Sequence, residues 1–64
     1  MTVGELYRAI GKYQTVRLMQ SNFIYFQGKA TDIPLQYMDA SVEYFKADYE
    51  PRNVSTFILI VLCE

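Results

Sequence analysis

The most hydrophobic stretch of the chain runs from Phe57 to Leu62 and is followed by Cys63 and Glu64. A β-strand sends alternate side chains to opposite faces of a sheet. As a strand, this stretch has one face with Phe57, Leu59, Val61 and Cys63, and another with Ile58, Ile60 and Leu62. Both faces are apolar, which is typical of a strand that is covered on both sides. The rest of the chain must therefore be arranged to bury it.

The length of 64 residues predicts a single domain, 1–64, with a small core. A domain of this size buries only roughly 60% of the surface that its unfolded chain exposes. One cysteine excludes an internal disulfide, and the lack of histidine argues against a structural zinc site. The chain is 52% hydrophobic, so it is not of the disordered class. We expect a packed core or an oligomer to supply the stability, with no metal and no cofactor.

The N-terminal residues have the pattern of a short amphipathic helix. Thr2 and Glu5 have the spacing of a capping box, in which each side chain bonds to the other's backbone N–H. Apolar side chains then follow at helical spacing at Val3, Leu6, Tyr7 and Ile10. Gly11 is suited to the left-handed conformation that ends many helices. These signals predict a helix over residues 3–10 that docks its apolar stripe on a sheet.

Three further strands and a short helical turn are predicted. Alternation predicts strands over 14–20, 23–27 and 41–49 before the closing strand at 56–63. Ser21 and Asn22 form the first predicted turn, with Asn22 suited to a positive φ, and Gly28 marks a predicted bulge. Residues 34–38 predict one helical turn, and residues 50–53 have the composition of a second turn.

This order of elements predicts an α+β domain: an N-terminal helix packed on a mostly antiparallel four-stranded sheet. The closing strand is the most hydrophobic, so we expect it near the centre of the sheet, beside the first strand. One short helix covers only one face of such a sheet. The other face, which we expect to carry Ile58, Ile60 and Leu62, is buried either by curling of the sheet or by a second chain. These three residues form the predicted interface of a homodimer.

Charge is distributed unevenly along a chain whose net charge is −1. Residues 1–30 hold four basic residues and one acidic residue, whereas residues 31–50 hold one basic and five acidic residues. The tyrosines of the second half lie among these carboxylates, and tyrosine is enriched in protein interfaces. The predicted partner-binding residues are Tyr37, Asp39, Glu43, Tyr44, Asp48, Tyr49 and Glu50. An ordinary solvated surface is the alternative interpretation of the same residues.

The residue inventory argues against an enzyme. Without histidine, the commonest general base is missing and neither a Ser-His nor a Cys-His pair can form. We expect Cys63 to be a buried structural thiol, because no basic neighbour lowers its pKa. The three glycines are widely spaced, so no phosphate-binding loop is present. No catalytic, metal-binding or cofactor-binding residue is predicted.

A nucleic-acid interface is a further alternative. Phe23 and Tyr25, with Arg17 and Lys29 nearby in the sequence, have the composition of a stacking platform for single strands. The acidic pI near 5.2 and the lack of a basic stripe argue against that function.

The sequence predicts a cytoplasmic protein that does not enter a membrane. No basic segment followed by a long apolar run stands at the start, and the closing apolar run is shorter than the ~20 residues of a membrane-spanning helix. A free cysteine fits a reducing compartment.

Three segments carry a resemblance to a class of known proteins. They are Thr2-Val3-Gly4-Glu5-Leu6, Thr15-Val16-Arg17-Leu18 and the closing apolar strand. The chain resembles the very small α+β accessory proteins encoded by phages, prophages and mobile elements of Gram-positive bacteria. The resemblance implies location in the host cytoplasm and, for some members of the class, inhibition of a host defence protein by binding to it. It carries over no functional residue.

The first hypothesis is therefore a non-enzymatic protein-binding module of the phage-accessory kind. The alternatives are a self-assembling homodimer without chemistry and a single-strand nucleic-acid binder.

Overall fold

The computed structural model describes residues 1–52 and 55–64, which form one helix, four strands and two 3-10 turns. In chain order the elements are α1 (Val3–Ile10), β1 (Thr15–Gln20), β2 (Phe23–Lys29), 3-10 turns at Ala30–Asp32 and Leu35–Tyr37, β3 (Val42–Glu50) and β4 (Ser55–Leu62). This confirms the α+β class and the predicted order of helix and strands; the predicted helical turn at 34–38 is present at Leu35–Tyr37, and a second 3-10 turn at Ala30–Asp32 precedes it. Pro51 and Arg52 form a turn after β3, as predicted, and the remaining predicted turn residue, Asn53, lies outside the described residues.

The ends of α1 are determined by local chemistry. The Thr2 N–H donates to Glu5 Oε1 at 2.9 Å, and the Glu5 N–H donates to Thr2 Oγ1 at 3.2 Å, so the predicted capping box is present. Gly11 ends the helix with φ +89°, and its N–H donates to the Tyr7 carbonyl at 3.2 Å. Its ψ of 150° is extended, so Gly11 is not in the left-handed helical conformation, and a turn at Lys12 and Tyr13 leads to β1.

The four strands form one mixed sheet in the order β2-β1-β4-β3. β1 pairs with β2 and β4 pairs with β3 in antiparallel fashion, whereas β1 and β4 are parallel. The prediction that the closing strand lies centrally beside the first is confirmed. The predicted antiparallel pairing is found in the two outer pairs, β1–β2 and β3–β4. The central pair is parallel because β1 and β4, which belong to different hairpins, run in the same direction.

The β1–β2 hairpin differs from the sequence prediction at two points. The positive φ of its turn, 54°, falls at Ser21 instead of Asn22. The bulge lies opposite Leu18 and Met19, where Tyr25 is the additional residue of β2, while Gly28 pairs regularly with Val16. Glycine is favoured there for a different reason: its φ is +156°, a conformation that other residues rarely adopt, and a Cβ would lie 3.2 Å from Cζ of the Phe26 ring.

The core lies between α1 and one face of the sheet. It contains buried residues from the helix, the central strands and the segment after β2, namely Val3, Leu6, Val16, Leu18, Ala30, Ile33, Ile60 and Leu62. Buried apolar area of this kind is the main favourable term in the stability of a small domain.

The face that α1 covers is the one that the sequence prediction left uncovered. Val16 pairs with Ile58 and Leu18 with Ile60, and directly paired residues share a face. Ile58 is therefore half-buried beneath the helix side of the domain, and Ile60 and Leu62 are buried there. The expectation that these three residues face away from the helix is wrong. Ile60 and Leu62 are accessible to a second chain only if α1 moves away.

The opposite face of the sheet is covered by neither α1 nor the 3-10 turns, which all contribute to the core on the helix side. Phe57 is nevertheless only 7% exposed. The Arg17 guanidinium lies 4.5 Å from the centre of its ring, a cation–π contact that shields it from water. Leu59 and Val61 remain half-buried beside it. We refer to this side as the open face.

Candidate partner-binding surface

The candidate surface is built on β3, which forms one edge of the sheet. Nine residues, Val42–Glu50, form the strand, and the seven between its end residues are all exposed. Tyr44, Phe45 and Tyr49 are each about half exposed, at 49%, 45% and 51%. Three large aromatic side chains are thus exposed along one edge strand, Tyr44 on the open face and Phe45 and Tyr49 on the helix side. We call residues 43–50 the β3 surface.

The β3 surface has two sides because successive residues of a strand alternate. Lys46 pairs with Leu59 and Asp48 with Phe57, so both charged side chains lie on the open face. Phe45 pairs with Ile60, which places it on the helix side. The helix does not extend over β3, so aromatic side chains on that side stay in contact with solvent.

Five of the seven predicted partner-binding residues belong to this surface, and two do not. Glu43, Tyr44, Asp48, Tyr49 and Glu50 lie on β3. Asp39 is exposed in the segment before β3. Tyr37 is half-buried in the second 3-10 turn, and its ring centre lies 5.7 Å from that of Tyr25 on β2, the opposite edge of the sheet.

Sequence reasoning missed three members of the surface, Phe45, Lys46 and Ala47. The signal was present, since Lys46 is the one basic residue among residues 31–50 and Phe45 continues the alternation with Ala47 and Tyr49. Residue type predicts the tyrosines and carboxylates of this surface. Phe45, Lys46 and Ala47 belong to it because of their position at the middle of β3.

The carboxylates at the end of β3 bond to nearby backbone. Asp48 Oδ1 accepts a hydrogen bond from the Tyr49 N–H at 2.8 Å. Glu50 Oε1 accepts one from the Arg52 N–H at 3.4 Å. These contacts orient both carboxylates without burying them.

The residues of the predicted nucleic-acid platform are divided between two faces. The rings of Phe23 and Tyr25 are 4.9 Å apart, and Tyr25 contacts Tyr37, which packs on the core from the helix side. Arg17 lies on the open face, where its Nε donates to Gln27 Oε1 at 3.2 Å. The aromatic pair and the cation therefore do not form one groove.

The prediction that Cys63 is buried is wrong: the thiol is free and exposed. β4 ends at Leu62, so Cys63 lies just past the sheet. Its backbone is held there, because its N–H donates to the Ser41 carbonyl at 2.9 Å and its own carbonyl accepts from Gln20 Nε2 at 2.6 Å.

Within residues 1–52 and 55–64 there is no pocket and no group of three or more side chains suited to hold a metal ion. No helix in the same ranges is long and apolar enough to cross a membrane. The candidate site of this part of the chain is therefore a surface.

The sequence matches no family model, no curated protein and no solved structure.

Proposed function

We propose that the chain is a non-enzymatic protein-binding module whose contact site is the β3 surface. The observation that carries the proposal is the position of β3: this strand lies at an edge of the sheet with its seven inner side chains exposed. A sheet edge offers unpaired backbone N–H and C=O groups to an extended segment of another protein.

The side chains of the β3 surface suit such contact. Tyr44, Phe45 and Tyr49 give large contact area for little loss of conformational entropy, and the phenol groups also form hydrogen bonds. Lys46, Asp48 and the other charged residues of the strand supply specificity and steer association more than they supply affinity.

The finer proposal concerns the biological setting. We propose a cytoplasmic accessory protein of a phage or mobile element that inhibits a host defence protein by binding to it. Support comes from the resemblance of residues 2–6, 15–18 and the closing strand to that class, and from carboxylates exposed along a free edge.

The test compares capture of proteins by immobilised wild-type chain and variants. Asp48→Lys with Glu50→Lys reverses two charges of the β3 surface, and Tyr44→Ala with Tyr49→Ala removes two aromatic contacts. Each pair of changes should weaken binding of a captured partner by at least about 10-fold, the usual effect of losing contact residues that carry binding energy.

Asp32→Lys is the matched control, because Asp32 is exposed in the first 3-10 turn and lies outside the β3 surface. It should leave binding unchanged. If every captured protein binds both pairs of variants as tightly as it binds the wild type, the β3 surface is not the contact site.

A further inference from the structure

The edge of β3 has the regular backbone that strand pairing requires. From Tyr44 to Glu50 the pairing with β4 continues without a register shift. The Tyr49 N–H donates to the Asp48 carboxylate, so it points away from β4. Backbone groups of an antiparallel strand alternate between its two neighbours. Phe45 and Ala47 therefore share the free side with Tyr49.

The other edge of the sheet is less suited to pairing. β2 has a bulge at Tyr25 and a glycine at position 28. Bulges disrupt the ladder and are one of the means by which proteins protect sheet edges. β3 also has a bulge, at Glu43, but it precedes the seven residues from Tyr44 to Glu50 that pair regularly, whereas only residues 26–29 of β2 follow its bulge. The segment from Tyr44 to Glu50 is consequently the better template for an additional strand.

We propose that the occupant of the β3 edge is a second copy of this chain, paired antiparallel with Ala47 on the two-fold axis. This rests on the proposed function, because it uses the same surface: a chain paired in this way binds another protein there only after the dimer dissociates. The pairing joins two four-stranded sheets into one sheet of eight strands.

The pattern of charges along β3 selects this register. With Ala47 opposite the partner's Ala47, Lys46 lies opposite the partner's Asp48, and two-fold symmetry gives the same pair twice. Opposite charges that face each other across antiparallel strands stabilise the pairing. Tyr44 lies opposite the partner's Glu50, so its phenol can donate to that carboxylate.

The aromatic residues on the helix side fit the same register. Phe45 lies opposite the partner's Tyr49, and both side chains are about half exposed in the single chain. Cross-strand aromatic pairs are among the more favourable pairs in sheets. Pairing also gives the Tyr49 N–H a backbone acceptor, which releases the Asp48 carboxylate to meet the partner's Lys46.

The neighbouring registers are unfavourable. Two side chains are opposite each other across the strands only if both lie on the same face of the sheet. A neighbouring register therefore slides one strand by two residues, which moves the two-fold axis by one residue along β3. Moving the axis to Lys46 places it opposite the partner's Lys46, and moving it to Asp48 places two carboxylates together. Like charges directly opposite each other destabilise a strand pair.

Charge exchange tests the proposal. Lys46→Asp places two carboxylates opposite each other at both symmetric positions, and Asp48→Lys does the same with two amines. Each single variant should weaken the dimer roughly 30-fold, from the usual worth of cross-strand charge pairs. The double variant, Lys46→Asp with Asp48→Lys, restores both pairs and should dimerise as the wild type does.

Sedimentation at concentrations from ~5 to ~500 μM brackets a micromolar dissociation constant and provides the measurement. Lys29→Asp is the matched control, because it makes the same charge change at an exposed position of β2. A monomeric wild type throughout this range overturns the proposal, and so does a double variant that stays as weak as either single one. Circular dichroism shows whether each variant is folded.

A cross-link tests the register independently. Facing residues of an antiparallel pair have Cα atoms about 5.5 Å apart at hydrogen-bonded positions, within the range that a disulfide spans. Ala47→Cys, in a chain whose exposed Cys63 is replaced by serine, should form a covalent dimer on mild oxidation. Asp32→Cys in the same background should not, and equal dimer formation by the two variants overturns the proposed axis.

These experiments distinguish a failure of the dimer proposal from a failure of the proposed function. A monomeric wild type that still captures a protein sensitive to Asp48→Lys with Glu50→Lys refutes the dimer and leaves the binding module. A dimer that responds to charge exchange while no other protein is captured supports self-association as the role of the β3 surface.

Discussion

Ile60 tests the assignment of the covered face most directly, because it is 1% exposed between α1 and the sheet. Ile60→Val removes one methylene group from this packed site. Loss of that group costs about 0.5–1.5 kcal/mol in protein cores. A domain of 64 residues has a total stability of roughly 3–10 kcal/mol, so the variant should fold with a measurable deficit.

Thermal unfolding followed by circular dichroism gives the measurement. A loss of ~1 kcal/mol lowers the melting temperature by about 4–8 °C in a domain of this size. The matched control is Ile24→Val, the same chemical change at a side chain that is 46% exposed on β2; substitutions at exposed sites usually change stability by less than about 0.5 kcal/mol. Equal shifts for the two variants, or no shift for Ile60→Val, would refute the burial of Ile60 beneath α1.

Two further predictions concern the capping box. Thr2→Ala removes the acceptor of the Glu5 N–H and should cost about 1 kcal/mol in urea unfolding, whereas Thr2→Ser keeps the hydroxyl and should cost much less; equal losses would contradict the cap. The hydrogen bond from the Thr2 backbone, followed by that from its side chain, lowers the pKa of Glu5 below its ordinary value of 4.5. The folded state then binds fewer protons than the unfolded state, so this stabilisation is complete above the ordinary pKa and is lost as the pH falls through the lowered one. Glu5→Gln, which cannot titrate, should flatten the dependence of stability on pH in that window, and an unchanged dependence would contradict the shift.

Much of the fold could be predicted from the sequence because its signals are local. The capping box at Thr2 and Glu5 and the stripe beginning at Val3 specify α1 without reference to the rest of the chain. Alternation likewise located each strand to within one or two residues. These patterns act through neighbouring residues, and sequence reasoning is strongest there.

The choice of covered face could not be predicted, because β4 is apolar on both sides. Its orientation depends on the parallel register with β1, which places Ile58 opposite Val16. The sequence of β4 alone does not distinguish that register from one shifted by a single residue, which would exchange the two faces of the strand. The exposure of Cys63 could not be predicted for a similar reason, since the residue at which β4 ends depends on its pairing with β1 and β3.

The candidate surface could be predicted only in part. Glu43, Tyr44 and their neighbours were identified by composition, and the structure places them together on one edge. Composition also predicts Tyr37 as a member of the surface, yet its ring packs against that of Tyr25 at the opposite edge of the sheet. Which strand lies at an edge is a property of the sheet order, and single residues do not encode it.

The parallel contact between β1 and β4 has a consequence for how the chain folds. Val16 and Ile58 are paired although 42 positions separate them, whereas each hairpin pairs residues close in sequence. Closing so large a loop costs conformational entropy before the contact returns any stability. We expect both hairpins to form early and their meeting along β1 and β4 to be the slow event. Until that meeting the inner edges of both hairpins are unpaired, and the most apolar strand of the chain is exposed to water.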